Sequence, residues 1–311
     1  MNDTLKKSTI SRLPISYVYI IFVILFWAST ASVSSLLLTN LGGFQLLFYT
    51  FLLATISLFT IVLFQKKLHV IRDYKVKDYF TFAYMGFIGV FLYTYSFFEA
   101  IVNLSNQEAV ILNYLWPISV VVFSTIILKE KFTFRKFFGI ILSFIGVYIV
   151  LTKGDFLNLT FNSLRGILFA LLAAFSYGLF SVLGKNQDYD KYVSTMFYYF
   201  FATLFSLSFN PFSSIPNFSL SNLIALSWLG IFANGLAFVF WFQALRYGET
   251  AKMSNVVYAT PFLSLIYSYF LIGEEILFTS LIGLLFIVLG IIIQLIPIKE
   301  RSKDKRRRLL P

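Results

Sequence analysis

The chain has 311 residues, of which 59% are hydrophobic and only 13% are charged. Ordinary soluble domains carry roughly 25% charged residues, so this composition excludes a soluble globular fold. The net charge of +11 would suggest a nucleic-acid partner in a soluble protein, but here the basic residues gather in short segments between long apolar stretches. We therefore expect the lipid bilayer, and no nucleic acid, as the macromolecular environment.

Catalytic and metal-binding residue patterns are missing from the sequence. It contains no cysteine and a single histidine, His69, so thiol chemistry and an imidazole metal cluster are excluded. No span contains paired carboxylates or a nucleophile beside a base, and no glycine loop that cradles phosphate follows a strand. The sequence therefore predicts a protein that is not an enzyme and that uses no metal or cofactor.

Apolar stretches recur along the chain, and most are about 18 to 25 residues long, enough to cross a hydrocarbon layer of roughly 30 Å. They predict an all-α membrane protein with ten transmembrane helices, at 17–38, 44–64, 79–102, 106–128, 134–151, 164–184, 193–212, 222–245, 250–272 and 279–298.

The basic residues predict the orientation of these helices. With the N-terminal segment 1–16 inside, 23 of the 25 lysines and arginines fall on one side of the membrane, including those of the basic tail 299–311. Only Lys153 and Arg165 remain on the other side. Positive charge accumulates in cytoplasmic segments, so both termini are expected in the cytoplasm. Richness in Phe, Ile, Lys and Asn is a compositional indication of a bacterium with an AT-rich genome, and so favours the bacterial cytoplasmic membrane.

The two halves of the chain resemble each other. A shift of 144 residues aligns 86–149 with 230–293 without a gap, and eleven of the 64 aligned residues are identical. Among them are Pro117 with Pro261 and Glu130 with Glu274, residue types that mark kinks and loops rather than apolar filler.

The repeat predicts the domain organisation. Each half has five predicted helices, and an odd number reverses the orientation of the second copy, so the repeats are expected to be inverted. The predicted parts are a first repeat at 17–151, an external connector at 152–163 and a second repeat at 164–298. Inverted repeats are the usual architecture of alternating-access transporters, with the substrate at the midplane between the halves.

The fourth predicted helix contains Asn113-Tyr114-Leu115-Trp116-Pro117, a polar and aromatic cluster in an apolar segment. Pro117 removes the helical hydrogen bond to the carbonyl of Asn113. Asn113, Trp116 and Pro117 share one helix face and predict the wall of a substrate cavity. For Asn113 the alternative is a hydrogen bond between helices, and for Pro117 it is a kink without substrate contact.

Other aromatic side chains at a suitable depth are candidates for the same cavity. They are Trp27, Tyr93, Tyr95, Tyr177, Trp241 and Tyr258, with Asn234 and Phe238 on the same helix face as Trp241. The alternative for each aromatic residue is core packing or a place in an interfacial belt, because the chain contains 19 tyrosines and 39 phenylalanines.

Charged and small residues give two further hypotheses. Glu99 is the one acidic residue well inside a predicted span, so it is a candidate for proton coupling, or else a solvated residue at the external rim. Gly139, Gly146, Gly283 and Gly290 lie seven apart in the fifth and tenth helices. They predict close helix packing or a homodimer through these two helices.

These patterns resemble the ten-helix, EamA-type branch of the drug/metabolite transporter superfamily. Ala100, Pro117, Leu128-Lys129-Glu130-Lys131 and Gly146 carry the resemblance, together with their counterparts 144 residues later. Within that superfamily, 113–117 is similar to the helix 4 motif of bacterial aromatic amino acid exporters. The resemblance implies an inner-membrane exporter or facilitator of small organic solutes, most simply amino acids of aromatic or neutral type.

Two alternatives stay open at this point. The first is a drug/metabolite transporter for another solute, such as a choline-like quaternary amine or a nucleobase. The second is a membrane scaffold or sensor without transport activity.

Overall fold

The computed structural model describes the backbone of residues 2–153, 155, 163–185, 187–209, 211–212, 219–248, 253 and 256–295, and side chains between residues 15 and 293. Over these residues the protein is all-helical and contains no strand. The predicted basic tail lies outside them.

The helices follow the predicted apolar stretches closely. They are α1 (Asn2–Leu38), α2 (Gly43–Phe64), α3 (Leu68–Arg72), α4 (Val76–Asn103), α5 (Asn106–Ile127), α6 (Phe134–Thr152), α7 (Leu164–Lys185), α8 (Lys191–Leu207), α9 (Leu220–Tyr247), α10 (Val257–Ile272) and α11 (Phe278–Leu295). Within the described residues, α1, α2, α4, α5, α6, α7 and α9 are long and apolar enough to cross a membrane, and α10 and α11 are shorter apolar helices. The architecture is therefore that of a multi-pass helical membrane protein.

Irregular segments recur at the offset of the sequence repeat. In α4, residues Phe87–Leu92 form π-helical turns, and in α9 residues Trp228–Leu236 do the same. The turns that follow α5 and α10 also match: the Glu130 amide donates to the Ser124 carbonyl at 3.2 Å, as the Glu274 amide does to the Ser268 carbonyl at 3.3 Å. In both turns the residue before the glutamate has a positive φ, of 55° and 75°.

Proline in α5 acts differently from the single kink that the sequence suggested. The helix is interrupted after Asn113 and resumes as Trp116–Ile127, with Pro117 at the second position of the new segment. A proline in the first turn costs no hydrogen bond, because the amides there have no helical partner. Pro261 holds the same position in the segment Thr260–Tyr267 of α10. Both prolines therefore start a half-helix rather than bend a continuous one.

Helices α6 and α11 pack against each other through the predicted glycines. A Cβ added to Gly146 would collide with the Gly283 carbonyl, and one added to Gly283 with the Gly146 carbonyl. Ser143 Oγ also donates to the Ile287 carbonyl of α11 at 3.3 Å. The glycines thus bring two helices of one chain together. A homodimer through the outer faces of α6 and α11 stays a prediction.

The packing of α6 on α11 predicts that Gly283→Ala destabilises the protein. The new methyl group meets backbone atoms that cannot move aside, and overpacking of this kind costs about 1–3 kcal/mol. The matched control is Gly43→Ala, where an added Cβ meets nothing within 4 Å. Thermal unfolding in one detergent should show a lower midpoint for Gly283→Ala alone. Equal midpoints for the two variants would contradict this packing.

Candidate functional site

A cavity of about 440 Å³ lies between the two halves of the chain. Side chains from α1, α4, α5, α7, α8, α9 and α10 line it. Thirteen of the 33 lining residues are aromatic, and they are Trp27, Tyr93, Phe97, Tyr114, Trp116, Tyr177, Phe180, Tyr189, Tyr198, Tyr199, Phe238, Trp241 and Phe242. A cavity of this size and lining suits a small organic molecule.

Eight of the residues proposed from the sequence line this cavity together. They are Trp27, Tyr93, Asn113, Trp116, Tyr177, Asn234, Phe238 and Trp241. The edge of the Trp116 ring meets Tyr177 with centroids 5.2 Å apart, and on the opposite wall Trp27 contacts Trp241 at 6.0 Å. Residues far apart in the sequence thus form one aromatic enclosure.

Three other predicted residues lie outside the cavity lining. Tyr95 stacks on Phe44 with centroids 5.3 Å apart and meets the edge of Phe169 at 5.8 Å. Tyr258 and Pro117 are buried in the helix packing. For Tyr95 and Tyr258 the structure favours packing over substrate contact, and Pro117 lies at the start of the second segment of α5, outside the cavity lining.

Asn113 fits both of the roles that the sequence suggested. Its Nδ2 donates to the hydroxyl of Tyr93 at 3.2 Å, which links α5 to α4. Its Oδ1 has no hydrogen-bond partner, although the residue is only 7% exposed and lines the cavity. A buried acceptor left unpaired is unfavourable by about 1–3 kcal/mol. This atom is therefore suited to accept a hydrogen bond from a bound solute.

A second tyrosine–asparagine pair lies on the wall formed by the second half. The Tyr199 hydroxyl of α8 donates to Asn234 Oδ1 at 2.9 Å, and Asn234 Nδ2 donates to the Leu229 carbonyl at 2.8 Å. That carbonyl lies in the π-helical segment of α9, five residues before Asn234. Irregular turns of this kind are frequent at functional sites.

One end of the cavity, which we call its mouth, lies between α7 and α8, where Lys191 is exposed. Gln187, Tyr189 and Lys191 line this end, and the Tyr198 hydroxyl donates to Gln187 Oε1 at 3.1 Å. Among the described lining residues the one charged side chain is that of Lys191. The rest of the described wall is uncharged, which favours ligands held by aromatic contact and hydrogen bonds.

Glu99 lies away from the cavity, at the end of α4. Its Oε2 accepts from Arg165 Nη2 at 2.7 Å, and the Arg165 side chain is 65% exposed. This geometry agrees with the rim alternative. Within the described residues no group of three or more histidine, cysteine, aspartate or glutamate side chains is arranged to hold a metal ion.

The fold and the cavity define a multi-pass helical membrane protein with a solute-sized central site. Residues 14–152 and 164–296 each match the profile of the EamA-like transporter family, and the two matches together cover most of the chain. The chain belongs to this family.

Individual relatives agree with the family match. The chain is 30% identical over 191 residues to an uncharacterized transporter of Clostridium kluyveri, covering 59% of this chain and 61% of that protein. It is 26% identical over 223 residues to the uncharacterized transporter YoaV of Bacillus subtilis, covering 70% and 74%. The alignment thus spans less than two thirds of the Clostridium protein. The structure also superposes on a known crystal structure with a TM-score of 0.65. The superposition covers 97% of this chain and 98% of the other chain, and the two sequences are 21% identical, so the two proteins share a fold.

Proposed function

We propose that this protein transports small organic solutes, most simply amino acids of aromatic or neutral type, across the bacterial cytoplasmic membrane. The observation that carries the proposal is the aromatic cavity with the unpartnered, buried Asn113 Oδ1 in its wall. Membership of a transporter family supports the same activity.

An amino acid matches the chemistry of the wall. Its ammonium group donates to Asn113 Oδ1 and lies against aromatic rings, where cations are favoured. Its side chain lies against the touching rings of Trp116 and Tyr177, and its carboxylate lies toward the mouth, where Lys191 carries the complementary charge. The proposed substrate contacts are Asn113, Trp116, Tyr177, Trp27 and Trp241.

Alternating access by two inverted repeats is the proposed mechanism. The family profile matches the chain once in each half, and the π-helical turns, half-helix prolines and terminal turns recur 144 residues apart. These observations support ten transmembrane helices in two five-helix repeats. The charge distribution supports cytoplasmic termini, and rocking of the halves would open the central site to each side in turn.

A choline-like quaternary amine is the second candidate. The aromatic wall, without an acidic side chain among its described residues, supports it through cation–π attraction. Choline differs from an amino acid in one testable way: its ammonium has no N–H to donate, so Asn113 Oδ1 gains no partner from it. Loss of that acceptor should weaken amino acid transport and spare choline transport.

Uptake into liposomes tests both candidates. The purified protein is reconstituted and supplied with labelled Phe, Trp, Thr or choline, with and without a pH gradient, and protein-free liposomes give the background. We expect saturable uptake of Phe or Trp. Uptake of choline without uptake of any amino acid would show that the quaternary amine, and not an amino acid, is the substrate class. No flux of any of the four would favour a scaffold or sensor.

A further inference from the structure

The end of the cavity away from Lys191 is closed by buried polar side chains. Asn106 Nδ2, at the start of α5, donates to Ser268 Oγ of α10 at 2.5 Å and to Ser32 Oγ of α1 at 3.4 Å. All three residues are at most 5% exposed. One turn deeper, Val110 and Ser264 already line the cavity. These contacts tie together helices from both halves of the chain.

Gln107 joins the same helix start to the turn after α10. Its backbone N–H donates to Glu274 Oε1 at 3.3 Å, and its Nε2 donates to the Glu275 carbonyl at 2.6 Å. Its Oε1, bonded to the same amide carbon, is buried without a partner, and the residue is 2% exposed. This junction therefore holds a buried acceptor that lacks a donor.

Glu274 is in an unfavourable place for a negative charge. Burial raises the pKa of the Glu274 carboxyl above its ordinary value, with a smaller contribution from the Glu108 carboxylate, although the hydrogen bonds from the Gln107 amide and Ser105 act in the opposite direction. The nearby cation, Lys153 at the end of α6, already pairs with Glu108 at 3.2 Å. Glu275 on the same turn is exposed. Glu99, at the end of α4, is already paired with Arg165.

The repeat provides a comparison within the same chain. Glu130, 144 residues earlier, accepts from Lys185 at 2.9 Å and from Lys136 at 3.4 Å. The Lys185 hydrogen bond holds the pKa of the Glu130 carboxyl below its usual range. The pKa values of these two equivalent glutamates are thus shifted in opposite directions, upward for Glu274 and downward for Glu130.

We propose that Asn106, Gln107, Ser268 and Glu274 form the external gate of the cavity, and that Glu274 binds a proton which holds this gate closed. The inference rests on the transport function proposed above. In the closed gate a protonated Glu274 removes a half-buried charge beside Glu108 and brings an O–H donor into the junction where Gln107 Oε1 lacks one. Opening exposes the carboxyl to water, and the proton leaves to external solvent.

The direction of the pH effect follows from this cycle. The closed gate binds the proton more tightly than the open gate, so a lower external pH favours closure. As the external pH rises through the raised pKa of Glu274, the gate opens more often. Glu274→Gln imitates the neutral form and can still accept from the Gln107 amide, so that variant should stay closed at every pH.

Cysteine labelling tests the gate without any substrate. The natural chain has no cysteine, so Ser264→Cys places a single thiol in the cavity just below the gate. A membrane-impermeant thiol reagent is applied to intact cells and to inside-out vesicles. Asn40→Cys, exposed in the turn between α1 and α2, corrects for the pH dependence of the reagent.

We expect Ser264→Cys to react from the cytoplasmic face and slowly from outside, with an external rate that rises with pH. Addition of Glu274→Gln should leave a slow rate at every pH, and addition of Asn106→Ala should raise the external rate about tenfold by loss of buried hydrogen bonds. Ser268→Ala replaces the asparagine variant if that one fails to fold. Glu99→Gln is the matched control and should keep the pH dependence.

Three results would contradict the proposed gate. They are a pH response that survives Glu274→Gln, a pH response lost in Glu99→Gln instead, and an external rate unchanged when Asn106 or Ser268 is replaced. Since labelling needs no transported solute, these results would leave the uptake assay unaffected, and absence of uptake would leave the labelling result unaffected.

Discussion

Asn113→Ala is expected to weaken the apparent affinity for a transported amino acid roughly tenfold to hundredfold, with the protein still folded. The substitution removes Oδ1, the buried acceptor that has no partner within the protein. A hydrogen bond to a charged group contributes about 1.5–3 kcal/mol, which corresponds to that range of affinity. The measurement is the concentration dependence of uptake into liposomes.

Asn40→Ala is the control for this substitution, because Asn40 is exposed in the turn after α1 and far from the cavity lining. It should transport like the unmodified protein. Trp116→Ala, which removes a ring from the same wall, should also weaken uptake. Normal transport by both the Asn113 and the Trp116 variants would show that the site assignment is wrong even if the protein is a transporter.

Gly184→Trp is expected to reduce uptake to the level of protein-free liposomes. Gly184 lines the cavity on α7, the helix that leads to the mouth beside Gln187 and Lys191. A Cβ added there would meet only the methyl group of Met85, at an ordinary contact distance of 3.5 Å. The larger side chain can therefore enter the cavity without pushing the backbone, and it would occupy the route of the solute.

Gly43→Trp carries the same chemical change to a site outside the cavity, where an added Cβ meets nothing within 4 Å. This control should keep normal uptake, and thermal unfolding should show both variants folded. If Gly184→Trp transported as well as Gly43→Trp, the solute would have to pass through the protein by another route.

The sequence predicts the all-helical, multi-pass architecture because the length of a hydrophobic stretch determines a membrane helix directly. The repeat was visible through Pro117 and Pro261 and through Glu130 and Glu274, and the structure places these pairs in locally equivalent backbone. The half-helix break before Pro117 was harder to predict. A proline is compatible both with a kink and with a new first turn, and the residue type alone does not decide between them.

The site was only partly predictable, for a physical reason. Asn113 and Trp116 stand out as rare residue types in an apolar helix, and they do line the cavity. Tyr198 and Tyr199 line it too, yet nothing in their local sequence separates them from the other tyrosines. Tyr95, with an equally plausible depth, packs on Phe44 instead. The position of a residue along a membrane helix can be predicted from the sequence, but whether its ring faces the cavity or another helix depends on how the neighbouring helices pack.

Protection of a single cysteine in the cavity tests the central claim most directly, namely that the transported solute occupies this cavity. Thr30→Cys places a thiol of nearly unchanged size on the α1 wall of the otherwise cysteine-free chain. We predict that its reaction with a thiol reagent slows as solute is added, with the same half-saturation as uptake. A reaction rate unchanged at solute concentrations that saturate uptake would contradict the claim.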